Sequence, residues 1–199
     1  MRTAAILVSL CVPMVSGCTL FSPVRVDTRT EILSRIPAQL PQGRARSASL
    51  LVLAPTTSAV YDTTQMAYAI QPYEVAYFSQ NEWIETPSRM IHPLLVRTLQ
   101  GTNAFSAVLV PPHMGRFTYA LQTQILELKQ DFTSSPPALL LALRFQLTRA
   151  GASEVIASKE VSLRESMRER TPYAGAVAAN DAMANALQQL AEFVLANAG

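Results

Sequence analysis

Glu127 and Asp131 stand four residues apart with Lys129 between them. Paired carboxylates are the usual minimum for general acid–base chemistry. Both fall on a segment that reads as a strand, where they flank a phase switch. A solvated edge strand protected by charge is the simpler reading. His92 and His113 have neither HxH nor HxxxH spacing, so they form no zinc set. The loop serines have no nucleophile elbow and no evident base. The seven glycines are scattered and make no phosphate-binding loop. Sixteen basic against 14 acidic residues give no electrostatic case for nucleic acid. The expectation is a chain without catalysis, metal or cofactor.

Cys18 has a more definite chemical fate. Arg2 precedes an apolar run from Ala4 to Val15, and Val15-Ser16-Gly17-Cys18 closes it. That run is shorter than the roughly 20 residues of a spanning helix. One charge, a short apolar core and small residues before the cut are the anatomy of a secretory signal. The cysteine at the cut resembles a bacterial lipobox, whose thiol takes up diacylglycerol and becomes the new N-terminus. Residues 1–17 then read as signal peptide and Cys18 as the acylated residue. The other cysteine, Cys11, leaves with the signal, so the mature domain is expected to have no free thiol or disulfide. One acyl chain holds marginally at ~0.8 kcal/mol per methylene, whereas two or three anchor stably. Thr19, rather than Asp, follows the cysteine and favours the periplasmic face of the outer membrane over the inner.

Residues 18–49 read as lipidated Cys18 plus tether, with Pro23, Pro37, Pro41 and Gly43 and five arginines. That basic excess is either a headgroup contact or a solvated linker. A short strand around Val24 and Val26 fits the alternation there. Ile32, Leu33 and Ile36 are expected to touch the domain, which is read as residues 50–199. Leu50 to Pro55 is a buried strand, and Met66 to Ile70 a second. Tyr73, Val75 and Tyr77 alternate as a third, with Asn81-Glu82 turning before Trp83. Thr86-Pro87 starts a helix, with Met90, Ile91, Leu94, Leu95 and Leu99 as its stripe. Pro93 predicts a kink or a late start. Phe105 to Val110 is a strand stopped by Pro111-Pro112.

Tyr119, Leu121 and Ile125 share one parity, whereas Leu126, Leu128 and Phe132 share the other, which predicts a bulge. After the Ser134–Pro137 turn, Leu139, Leu141, Leu143, Phe145 and Leu147 alternate as a half-buried strand. Val155, Ala157, Val161 and Leu163 follow. Thr171-Pro172 begins a C-terminal helix with Val177, Ala184, Leu187, Leu190, Val194 and Leu195 on one side. The fold class is α+β, a mostly antiparallel sheet packed by two helices, one central and one C-terminal.

Several short motifs run in a fixed order behind the lipobox. They are Leu51-Val52-Leu53-Ala54-Pro55, Tyr61-Asp62-Thr63 with Met66-Ala67-Tyr68, and Tyr77-Phe78-Ser79-Gln80-Asn81-Glu82-Trp83. Thr86-Pro87-Ser88-Arg89-Met90, Gln130-Asp131-Phe132 and Ala178-Ala179-Asn180 follow. In this order the chain resembles the ABC-type transport auxiliary lipoproteins of the paraquat-inducible protein C type. The resemblance implies an accessory role without catalysis, beside an ABC permease, an ATPase and a mammalian-cell-entry (MCE) domain protein. It also implies intermembrane transport of lipids or other apolar molecules, and a homo-oligomeric ring as one assembly state. A lipid carrier acting on its own is the alternative reading, and an envelope hydrolase a distant third. Trp83 and Phe78 are expected in the core. Tyr61, Asp62, Tyr73 and Asn81 are expected near the partner-binding surface.

Overall fold

The structure is a computed structural model that describes residues 27–151 and 154–198. The signal segment, Cys18 and the strand expected at Val24 and Val26 lie outside the described residues. In chain order the strands are β1 (Arg29–Glu31), β2 (Ser49–Val52), β3 (Thr56–Thr57), β4 (Gln65–Ala69) and β5 (Ala76–Trp83). Helix α1 (Pro87–Gly101) and β6 (Ala107–Leu109) follow. Then come β7 (Tyr119–Asp131), β8 (Ala138–Arg149), β9 (Val155–Ser166) and helix α2 (Pro172–Asn197). Among the described residues this is an α+β fold, a nine-stranded mixed sheet carrying two helices.

The sheet is built on β7. Along one edge β7 pairs antiparallel with β8 from Tyr119↔Arg149 to Asp131↔Ala138. Along the other it takes β2, β3 and β4 in succession, all parallel, at Tyr119–Leu121, Gln124–Ile125 and Gln130–Asp131. β9 extends the hairpin beyond β8, and β5 and β1 extend the sheet beyond β4. The long β7–β8–β9 ladders make the sheet mostly antiparallel. The edge-strand reading of Glu127 and Asp131 is therefore corrected, because both sit on the central strand. Glu127 pairs with Lys129 at 2.9 Å on the strand's partly open stretch.

The bulge lies where the parity switches. Ile125 faces Leu143 and Glu127 faces Ala142, so Leu126 is the extra residue. The extra residue keeps Ile125 and Leu128 on the same buried face, at 1% and 3% exposure. Across from them Leu139, Leu141, Leu143, Phe145 and Leu147 are fully buried. Helix α2 covers this face, and the buried side of α2 is largely alanine: Ala178, Ala179, Ala182 and Ala186, with Met183, Leu187, Leu190 and Val194. The alanines among these larger side chains let the helix approach the sheet closely. Val177, expected on the core stripe, is instead 39% exposed. Helix α1 packs against α2, β6 and β2 through Met90, Ile91, Leu94, Leu95 and Leu99.

Three local expectations change. The strand read through Tyr73, Val75 and Tyr77 begins only at Ala76, and Tyr73 lies in the turn before it with φ at +66°. Asn81 and Glu82 are not a turn but the last part of β5, because β1 lies beside them and pairs Arg29↔Asn81 and Thr30↔Glu82. A neighbouring strand from far along the chain outweighs the turn preference of Asn. Helix α1 starts at Pro87, not late, and Pro93 lies inside it. Pro93 and Arg89 are both exposed, so the carbonyl that Pro93 leaves without an N–H faces water. The Thr86 side chain makes no capping bond to a helix N–H, its hydroxyl lying 3.2 Å from Ser88 Oγ instead, whereas Thr171 accepts from Ala174 N–H at 3.2 Å.

Residues 29–49, ahead of Leu50, also pack on the body. Leu33 is 3% exposed and Ile36 is half-buried, while Ile32 is largely exposed. Gly43 donates its N–H to Thr102 O at 2.9 Å. A Cβ there would collide with Ala104 and Leu195, so glycine is what lets this strap pass between the C-terminal ends of both helices. Arg46 closes the strap by donating to the Ala198 and Leu195 carbonyls.

Leu143 sits at the centre of this core with no exposed surface. Leu143→Ala is expected to lower unfolding free energy by about 2–5 kcal/mol in urea titrations. A loss below about 1 kcal/mol would mean the helices do not close over β8.

Candidate functional site

The four residues expected at a partner-binding surface separate in the structure. Tyr61 is 8% exposed and belongs to the core. Burial pushes its phenol up to about 12, the Glu127 carboxylate and Tyr77 add to this, and a hydrogen bond with the Leu128 backbone opposes it. Tyr61 thus lies beside Glu127 and Leu128, on the stretch of β7 between the residues paired with β3 and those paired with β4. Asp62 is exposed on the same turn, its N–H donating to Ser58 O at 3.1 Å. Tyr77 donates its hydroxyl to Val60 O at 3.0 Å and fastens this turn to β5. Asn81 is half-buried on β5 beside β1. Tyr73 is wholly exposed at the tip of the β4–β5 hairpin, with φ at +66°.

The motif residues converge on one corner instead. At the end of β7, Tyr68, Phe78 and Phe132 form an aromatic group, with centroids 4.4 Å apart for Tyr68–Phe78 and 6.0 Å for Tyr68–Phe132. Offset and tilted rings of this kind are favourable beyond their burial. The Arg170 guanidinium lies 5.0 Å from the Phe132 ring centroid and donates to Phe132 O at 2.9 Å. Beside them Asp131 accepts from the Thr133 N–H at 2.9 Å, the Thr133 hydroxyl at 2.5 Å and Arg164 at 3.0 Å. Burial alone would raise the Asp131 carboxyl, but the Thr133 bonds and Arg164 outweigh it, and its pKa falls below the ordinary value. The corner therefore fastens the β7–β8 turn to β9 and to the start of α2.

Asn180, on α2, is the second fastening. Its Oδ1 accepts from Ser34 N–H at 2.9 Å and Arg35 N–H at 3.1 Å. Its Nδ2 donates to Ile32 O at 2.9 Å and Ala176 O at 3.0 Å. Arg35 adds an ion pair to Asp181. One amide side chain thereby satisfies three backbone groups of the strap. Two open clefts flank Asp181 on the outside of α2. One, of about 650 Å³, lies against Arg35–Ala38, and the other, of about 440 Å³, against Ser166, Arg168 and Glu169. Tyr173 and Val177 line the second and are exposed. Sequence reasoning missed both fastenings. A signal existed at Asn180, a lone amide on the otherwise small, apolar face of α2.

The arrangement offers surfaces rather than reacting groups. His92 Nε2 lies 3.1 Å from Val52 O, a structural contact. Among the described residues no group of three His, Cys, Asp or Glu side chains is placed to hold a metal ion. Among them, too, no helix is long and apolar enough to cross a membrane.

Two measurements check these fastenings. Asn180→Ala is expected to destabilise by about 0.5–1.5 kcal/mol, since water can replace its bonds to the exposed strap, and to speed hydrogen exchange at Ser34 and Arg35. Unchanged exchange there would contradict the latch. Asp131, with its folded pKa depressed, contributes stability above the ordinary value of 3.8, and this is lost as pH falls through the lower folded value. The stability gap between wild type and Asp131→Asn should therefore hold at neutral pH and close only in acid below pH 3.8. A gap that closes above that pH would contradict the assignment.

Residues 32–194 match the sequence model of the ABC-type transport auxiliary lipoprotein component family. A crystal structure of a Xanthomonas campestris protein superposes with a TM-score of 0.73 at 20% identity, covering 86% of this chain and 96% of that one. A hypothetical protein from Chlamydia trachomatis superposes with a TM-score of 0.50 at 9% identity, covering 76% and 100%. At these identities the likeness is one of fold. No curated protein matches. The family match spans nearly the whole packed body, from the latched strap to the last turns of α2, and the chain belongs to the ABC-type transport auxiliary lipoprotein components.

Proposed function

We propose that this auxiliary lipoprotein is a non-enzymatic component held by acylated Cys18 at the periplasmic face of the outer membrane. There it docks an MCE-domain protein that works with an ABC permease and ATPase to move lipids or other apolar solutes. The observation that carries this reading is the family match over residues 32–194, which leaves little of the packed body for another activity. The sequence ahead of it supports the anchor, since a short apolar segment ends in Gly17-Cys18-Thr19. The interior supports docking over carriage. Helix α2 lies directly on fully buried Leu139, Leu141, Leu143, Phe145 and Leu147, so an internal lipid would have to displace close-packed side chains.

Within this reading Asp62 and Asn81 are the contact residues, and Tyr73, expected beside them, stands apart at the exposed hairpin tip. Tyr61 acts through the turn that presents Asp62, since its own ring is buried. Affinity capture of the full-length, processed protein from detergent-solubilised envelopes is expected to recover the MCE protein together with permease and ATPase. Asp62→Ala and Asn81→Ala should weaken that recovery without moving the unfolding midpoint, whereas Tyr61→Ala should lower the midpoint. Repeated capture that never contains an MCE protein would overturn the proposal.

A further inference from the structure

The tip of the β4–β5 hairpin is the most exposed apolar element near the start of the described chain. Ile70 is 58% exposed, Tyr73 110% and Val75 39%, all within six residues. Outward-facing aliphatic groups around an aromatic ring with a polar end suit a membrane interface. Tyr73 also holds φ at +66°, an unfavourable conformation for a bulky residue, and the fold places it wholly in solvent.

The topology says which way the tip points. β1 runs parallel to β5, with Arg29 opposite Asn81. The chain therefore enters β1 from the side on which β5 begins, and that side is the hairpin tip. From the level of Arg29 and Asn81 back to Ala76 is about 17 Å at ~3.4 Å per residue. The residues between Cys18 and β1 are few. Thr19 to Thr28, ten residues, reach at most about 35 Å when fully extended. With the acyl chains on Cys18 in a bilayer, that bilayer lies within this reach of Arg29, and the tip, on the entry side of β1, covers about half of it. The opposite end of β7 carries residues 110–118, including fully exposed Met114. That end lies about 40 Å away along the strand.

We propose that the Ile70–Val75 tip is a second membrane contact, seating in the interface of the same bilayer that holds the acylated Cys18. The inference rests on the lipid anchor of the proposed function. The tip fixes how the domain stands on the membrane, which the acyl anchor alone leaves open. The anchor also strengthens the weaker tip contact, because holding the domain at the bilayer raises the local concentration of the tip there.

Full-length acylated protein in vesicles of phosphatidylethanolamine and phosphatidylglycerol tests this. The acylated Cys18 thiol is blocked, so a cysteine at Tyr73→Cys or Ile70→Cys takes a single environment-sensitive fluorophore, with Met114→Cys as the control. Labels at the tip are expected to shift to the blue and to be quenched severalfold more by spin-labelled lipid than the label at Met114. Vesicle-bound protein whose tip and Met114 labels are equally unquenched would overturn the contact while leaving the anchor intact. Tip labels that respond only to added MCE protein would also overturn it, in favour of a protein partner. A product whose mass lacks acyl chains would refute the anchor, and the bilayer contact with it. Circular dichroism confirms that each variant is folded, and the two tip positions guard against a local effect at either.

Discussion

Everything in this fold depends on the hydrogen-bond ladder of β7. A strand of 13 residues is shared by β8 along one edge and by β2, β3 and β4 in turn along the other. The chain from Ser49 to Ala69 is thus laid alongside a strand that lies more than fifty residues further on. Such pairing closes long loops before it gains contacts, so it is held by the depth of the core beneath it. The leucines of β8 and the small face of α2 provide that depth. The bulge at Leu126 preserves it by keeping both halves of β7 turned to the same core.

That dependence explains which features the sequence reveals. Local periodicity is legible wherever one face is buried and the other is wet. The alternation from Leu139 to Leu147 and the parity switch at Leu126 are both read directly, and both appear in the ladder. The proline-marked starts at Thr86 and Thr171 locate both helices. Non-local pairing is not legible. Asn81 and Glu82 have turn-forming character, and what makes them strand is β1, some fifty residues earlier. A proline- and arginine-rich segment reads as tether because its hydrogen-bond partners, Asn180 and Thr102, lie far along the chain. On α2 the long side chains draw the eye to Val177, whereas the closest packing is made by alanines.

The candidate site shows the same division. The motifs that carry the family resemblance are mostly structural. Asp131 and Phe132 tie the hairpin turn to β9 and α2, and Asn180 holds the strap. Tyr61 is buried against the body beside Glu127 and Leu128 of β7. Residue type alone could not separate it from Tyr73, since both are tyrosines in loop segments. What separates them is the partner strand that one has and the other lacks. The outcome is a stiff body with its distinctive groups spent on holding shape, and its surface left for attachment.

The central claim is that this body attaches without rearranging. Hydrogen exchange of the full-length lipoprotein, compared in detergent and in native membranes with the transport complex present, tests it most directly. The account predicts slower exchange confined to surface segments, with the β7–β8 ladder equally slow in both states. Faster exchange within β7 or β8 on assembly, or no surface segment slowed at all, would contradict it.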